Sequence, residues 1–369
     1  GLGLSLGAAA TYLTIKAVTS HGGPPTSPTP TPRPPAAGPS PEVQRGGTVY
    51  RLQHDGRIYR VAWSPDGKYL ATSTWEPNQT VCVWDKEKPE KPLASFTGHT
   101  ATVTDVTWSP DGSRIASSGG IGDNTVWIWD PLRGNATSPG SMFKIPLPPD
   151  MNSARAVAWS PDGKQLAIGG GRGGHDFNIH LYDSAGNPGP ILSGHKETIN
   201  SLAWRPPQVG DNDQYLASAS DDFTVWIWKP RTGESWSLVG HKDSVYAVAW
   251  SPDGQYLATG AAGSKDHTVQ VWKWKEEDKT SIYTHDSHTD TVYAVTWSPD
   301  SAYIASASAD KTVHVYDAVG DGGFYSYPAH RGIVHAAAWQ PQASLVASGG
   351  DDKDMDTHYY VRVWQALDT

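Results

Sequence analysis

The side-chain clusters that could carry chemistry in this sequence are few, and each falls short of a site on its own spacing. Asp352, Asp354 and Asp356 alternate as the leading ligands of a calcium loop do, because a hard cation needs several carboxylate oxygens converging from one tight turn. Thr357 stands where such a loop turns on glycine, and no glutamate follows at the closing offset, so the segment reads as a solvated acidic loop. Gly169 to Gly174 is a glycine-rich turn of the kind that bares N–H groups to a phosphate, yet no helix follows to add its N-terminus. His285 and His288 are two nitrogen ligands without a third. Cys82, the single cysteine, lies in the apolar run Val81 to Trp84 and reads as a small buried hydrophobe that forms no internal disulfide. No unrepeated cluster of acid, base and nucleophile remains, so the chain is expected not to be an enzyme and to need no metal or cofactor.

Charge narrows the partners. Lys and Arg number 29 against 38 Asp and Glu, a net charge of −9, so there is no positive field to hold a phosphate backbone and nucleic acid is not an expected partner.

The elements that must position any site are short strands. Seventeen Trp and 16 Tyr against 5 Phe, with 38 Gly and 29 Pro, describe an all-β chain of short strands and tight turns. From about Thr48 the sequence repeats. An apolar strand ending in Trp recurs at Trp63, Trp108, Trp159, Trp204, Trp250, Trp297 and Trp339, with intervals between 42 (Trp297 to Trp339) and 51 (Trp108 to Trp159) residues. Ser-Pro-Asp-Gly follows at Ser64, Ser109, Ser160 and Ser251, a hairpin turn in which Pro presets φ and Gly accepts a positive one. A second strand comes next, as at Tyr69 to Thr72. A third, alternating strand ends at Trp84, Trp129, Tyr182, Trp228, Trp272, Tyr316 and Trp364, and a short apolar run such as Leu93 to Phe96 supplies a fourth. Seven repeats of four strands imply seven blades.

These residues resemble the WD-repeat family, whose repeats carry Gly-His, a turn Asp and a closing Trp-Asp. Gly-His stands at Gly98-His99, Gly194-His195 and Gly240-His241, while His54, His288 and His330 keep the imidazole without the glycine. The resemblance covers roughly residues 48 to 367. It implies an all-β, seven-bladed β-propeller of four antiparallel strands per blade, closed by the strand Thr48 to Leu52 joining the last blade. It also implies buried hydrogen-bonded sets in three blades: His99, Ser117, Asp123 and Trp129 in the second, His195, Ser218, Asp222 and Trp228 in the fourth, and His241, Thr259, Asp266 and Trp272 in the fifth. A Ser, His and Asp so placed mimic a hydrolase triad, but recurrence blade after blade argues for a structural staple. The third blade departs from the pattern, with no Gly-His, Ile168 in place of the hydroxyl and Tyr182 closing it, so its network is expected to be broken. The sixth closes with Tyr316.

In the family the residue four before the first-strand Trp often lines the mouth of the central channel and contacts peptide ligands. Those positions here are Tyr59, Thr104, Arg155, Asn200, Tyr246, Tyr293 and His335, a composition rich in binding hot spots. The partner the resemblance implies is a protein or peptide.

Ahead of the repeats, residues 1–20 are mostly apolar, with Lys16 the one charge before Val18, and are expected to form a hydrophobic helix: the last part of a membrane helix, a helix packed in an assembly, or a frayed apolar tail. Residues 21–47 hold a stretch from Pro24 to Pro41 dominated by Pro, Thr and Ser, expected to act as a semi-rigid spacer, and residues 48–369 form the propeller. Gly1 reads as the start of a processed form or of a piece of something longer. Two functions are expected from this arrangement. One is an interaction or sensing domain at the cell surface, with membrane contact through residues 1–18, resembling a common bacterial arrangement. The other is a secreted filament subunit that self-assembles through residues 1–41, although Ser5 stands where many pilin-like helices carry Glu.

Overall fold

The computed structural model describes residues 45–75, 80–133, 142–211, 213–274, 280–320, 323–353 and 358–367. Among them, 28 strands form seven separate four-stranded antiparallel sheets. The first sheet comprises Ile58–Trp63, Tyr69–Thr74, Val81–Asp85 and Ala94–Phe96, and the next five follow in the same chain order. In the seventh, Val334–Trp339, Leu345–Gly350 and Tyr359–Gln365 are completed by Thr48–His54, which pairs antiparallel with Tyr359–Gln365. The closing strand runs two residues beyond the expected Leu52. The expected helix over residues 1–20 lies outside the described residues, as does the spacer over 21–47 except for 45–47. There the Arg45 Nε–H donates to the Ala366 carbonyl at 3.0 Å and the Gly46 N–H to that of Gln365 at 2.7 Å.

Burial follows strand position. Second strands are buried almost throughout and built of small or branched residues, as in Leu345–Gly350, because blades press on both of their faces. Outer strands such as Ser281–His285 alternate exposed and half-buried, one face meeting water. Each seam between blades holds its own apolar cluster; one joins Ala116, Val126 and Ile128 of the second blade to Val157, Trp159 and Leu166 of the third. The Ser-Pro-Asp-Gly turns form as expected. In the first, the Ser64 hydroxyl donates to Asp66 at 2.7 Å and accepts from the Tyr69 N–H at 2.9 Å, while Gly67 takes φ +66°.

Candidate functional site

Every blade carries one irregularity at the same place. The pairing of first strand with second skips a residue between Ile58 and Arg60, Val103 and Asp105, Ala154 and Ala156, Ile199 and Ser201, Val245 and Ala247, Val292 and Ala294, and Val334 and Ala336. The skipped residues are Tyr59, Thr104, Arg155, Asn200, Tyr246, Tyr293 and His335. A β-bulge leaves its extra residue out of the ladder and re-aims its side chain. Seven bulges therefore set the direction of the seven positions taken from the sequence.

Five of the seven, Tyr59, Arg155, Tyr246, Tyr293 and His335, line one cavity of about 430 Å³. Six blades contribute to its wall, so it lies on the axis of the ring. Tyr59 stacks on His335 with centroids 5.9 Å apart, His335 meets Tyr293 at 4.7 Å, and Tyr293 meets Tyr246 edge-on at 5.7 Å. Burial pushes the Tyr246 and Tyr293 hydroxyls above their usual range, so both remain O–H groups. Thr104 and Asn200 depart from the expectation. Both are buried: the Thr104 hydroxyl donates to the Ala154 carbonyl and the Asn200 Nδ2 to that of Val245, each on the next blade's first strand. A short polar side chain within reach of a neighbouring carbonyl is held there and does not extend into the opening.

Six lining residues were not anticipated, and three of them have large side chains. Trp75, Ile121 and Arg172 come from the connections between second and third strands, which open on the same rim. Trp75 and Ile121 are 38% and 55% exposed, and large apolar residues in otherwise polar loops were the available signal. Asp351 contacts His335 at 3.3 Å and Arg57 at 3.8 Å; burial pushes its carboxyl up, but His335 and the Arg57 charge outweigh this and hold it below its usual range. Along the same first strands Arg60 faces Asp105 at 3.8 Å, where burial pushes Asp105 up to about 6 against Arg60 and the N–H groups of Val106 and Val157.

The repeated His, hydroxyl and Asp are also in place. In the fourth blade His195 Nδ1 lies 2.8 Å from Asp222, its Nε2 2.7 Å from Ser218, and the Trp228 indole N–H donates to Ser218 at 2.8 Å. In the fifth, His241 joins Asp266 at 3.0 Å and Thr259 at 2.7 Å, and Trp272 donates to Thr259 at 2.9 Å. With Nδ1–H given to the carboxylate, Nε2 accepts the hydroxyl proton and the hydroxyl oxygen accepts the indole N–H. Ser218 is fully buried and has spent its oxygen on Trp228, so it reaches no substrate. The glycine of Gly-His serves close approach: a Cβ on Gly194 or Gly240 would come within 2.9 Å of the closing indole.

A domain model described as WD domain, G-beta repeat matches residues 46–85, 90–130, 151–183, 186–229, 234–273, 279–317 and 324–355. The chain belongs to the WD-repeat family. WD-repeat propellers generally act as protein-interaction scaffolds and are typically non-enzymatic. Among curated proteins, this WD-repeat chain is 39% identical over 59 residues to the WD repeat-containing protein WDS homolog of Arabidopsis thaliana, covering 16% of the chain and 10% of that protein. It is 30% identical over 131 residues to a coronin-like protein of Saccharomyces cerevisiae, covering 34% and 19%. It is 28% identical over 102 residues to the protein transport protein SEC13 of Phaeosphaeria nodorum, covering 23% and 33%. The matched stretches thus span a third or less of these relatives.

Against the WD-repeat pattern, the second blade makes the His99 bonds to Asp123 (2.9 Å) and Ser117 (2.8 Å), but the Trp129 N–H does not join them. Its ring lies flat on Phe96 at 5.4 Å, and that stack fixes it. The third blade lacks the shared set yet is not without a substitute: Asp150 occupies the His position, and turn Asp176 takes His180 of its own third strand at 2.8 Å. Two further sets were not foreseen, His288 with Ser306 and Asp310 and His330 with Ser348, Asp352 and Trp364. The 18-residue spacing from His to hydroxyl, shared with His99 and His241, was the legible signal. Asp352 is fully buried between His330 and Arg362, which makes it a network residue; Asp354 and Asp356 lie outside the described residues. His288, Asp310 and His314 bring ligand atoms within 4.8 Å of one another, but the two imidazoles stack 4.0 Å apart at 6°, so their lone pairs lie in separate, nearly parallel planes and an ion in the plane of one ring is out of the plane of the other.

Proposed function

We propose that this chain is a non-catalytic scaffold that binds an extended protein segment at the bulge-lined mouth of the propeller. The observation that carries the reading is the convergence of Tyr59, Tyr246, Tyr293 and His335 from four blades on one cavity, with Trp75 and Ile121 exposed on its rim. Aromatic anchors in a partly desolvated pocket are where binding energy concentrates. Residues 1–18 are proposed to tether the propeller at the cell surface, with the Pro-rich stretch as spacer; their single charge supports this. Peptides selected from a displayed random library on the whole chain should lose at least tenfold in affinity for the Tyr246→Ala, Tyr293→Ala double variant. Unchanged binding by a variant that melts like the parent would remove the mouth as the site. Deleting residues 1–41 should move the protein from the membrane fraction of its native cells to the soluble one, and no change in partition would remove the tether.

A further inference from the structure

We infer that the ligand taken at this mouth carries an anionic oxygen group, a carboxylate or a phosphate, which seats on Arg155 and Arg172; this rests on the mouth being the binding site. Arg155 is the bulged residue of the third blade and only 5% exposed. A guanidinium so deep in a protein is ordinarily matched by a carboxylate, because taking an unpaired charge out of water is strongly unfavourable. Among the described residues Arg155 has no ion pair. Its contacts are the Tyr59 hydroxyl, which its Nη2 reaches at 3.3 Å, and the face of Tyr246, 5.5 Å from ring centroid to guanidinium carbon. Both are neutral, and both leave most of the five-proton fork unused.

The carboxylates near the opening are already engaged. Asp351 lies 3.3 Å from His335 and 3.8 Å from Arg57, Asp221 accepts from the Asn200 amide at 2.7 Å, and Asp105 faces Arg60 and accepts from the Val106 and Val157 N–H groups. Arg172, exposed on the second-to-third-strand loop of the same blade, lines the same cavity and is likewise without an ion pair among the described residues. Two unmatched guanidinium groups beside Tyr246 and Tyr293 form a place where a planar or tetrahedral oxyanion gains charge-assisted hydrogen bonds. The rings take the apolar or aromatic neighbour that a free ion lacks, so the occupant is an acidic peptide and not a bare anion. The net charge of −9 does not oppose this, because the unmatched cations are local to one rim.

The test uses the whole chain against two arrays of equal-length peptides, one random and unmodified, the other bearing phosphoserine. Enrichment of Asp or Glu in the first array identifies a carboxylate ligand, and enrichment confined to the second identifies a phosphate. In either case Arg155→Gln should weaken the selected peptide at least tenfold and flatten its dependence on salt. Neutral or basic peptides that bind, and that the Tyr246→Ala, Tyr293→Ala variant loses, would overturn the anion while leaving the mouth intact. Binding that ignores the tyrosines would overturn both, as would an empty result in both arrays. Melting supplies an independent arm. If Arg155 is unmatched, Arg155→Gln melts at or above the parent, whereas a clear drop would show that the fold compensates its charge and would overturn the inference.

Discussion

Trp204 donates its indole N–H to the carbonyl of Ala158 at 3.0 Å, across the seam between the third and fourth blades. The same bond joins Trp63 to Ala338, Trp108 to Ala62, Trp250 to Ala203 and Trp297 to Ala249. At the two remaining seams the equivalent residue is Thr107 or Thr296 in place of alanine. There Trp159 leaves its N–H unpartnered and Trp339 turns to Ala343 of its own blade. The bond is present at the five seams with alanine at this position and missing at the two with threonine, and at one of these the Thr296 hydroxyl accepts the Trp339 backbone N–H at 3.3 Å.

Thr107→Ala should therefore restore the Trp159 bond and raise stability by about 1 kcal/mol, the net value of one such hydrogen bond. Thermal melting reads this directly. A lower melting temperature would mean that Thr107 is not what keeps the indole away.

Asp222→Ala should cost about 3 kcal/mol, since it strips a buried imidazole of its partner and frees the N–H of Lys196 and the hydroxyl of Thr224 as well. The measurement is the urea midpoint at neutral pH. An unshifted midpoint would refute the staple role of this carboxylate.

Acid should unfold the ring in two windows. Burial pushes Asp222 up, but hydrogen bonds from His195, Thr224 and Lys196 and the His195 charge outweigh it and bring the carboxyl down to about 2. Asp123, Asp266, Asp310 and Asp352 are lowered in the same way. For a carboxylate whose folded value is depressed, stability is present above the unfolded value near 4 and is lost as pH falls through that value toward the folded one. His54 acts higher. Burial lowers it to about 3 from the ordinary 6.5, so the unfolded chain binds its proton first and stability falls as pH drops from 6.5 to 3. Asp105, raised to about 6, works in the opposite sense over part of that range. The difference between the parent and His54→Gln isolates the histidine: it should shrink as pH drops from 7 to 4, and a constant difference would contradict the assignment.

Phe223 occupies the left-handed region at φ +70° and is 46% exposed, in the slot filled by Asn124 and Lys311 in the second and sixth blades. A bulky L-residue pays about 1 kcal/mol there, whereas Asn tolerates the conformation. Phe223→Asn should raise the melting temperature. A fall would show that the ring makes packing contacts outweighing the strain.

The ring, its turns and its closure were legible because each rests on a period that single substitutions do not erase. Positions whose partners come from elsewhere were not. Nothing in Asp176 and His180 announces that a turn and the strand it leads into supply both halves of a pair usually shared with the preceding loop, and the residues inserted between Asp352 and Trp364 hide a full set from the usual offset to the closing Trp. Thr104 and Asn200 have the right spacing for the mouth, but reach and hydrogen-bonding capacity, not spacing, decide whether a side chain enters it. Trp75, Ile121 and Arg172 sit in loops with no fixed register.

Closure by Thr48–His54 has a consequence for synthesis. Of the strands in the ring, the first to leave the ribosome finds its partner only in the last, since Thr48 meets Trp364. Until then it waits as an unpaired edge while six blades stack beside it, and the final step is a long-range capture that local folding cannot hasten. At high concentration a neighbouring chain's Thr48–His54 is an equivalent donor, so nascent or stalled molecules have strand exchange between copies as their natural misassembly.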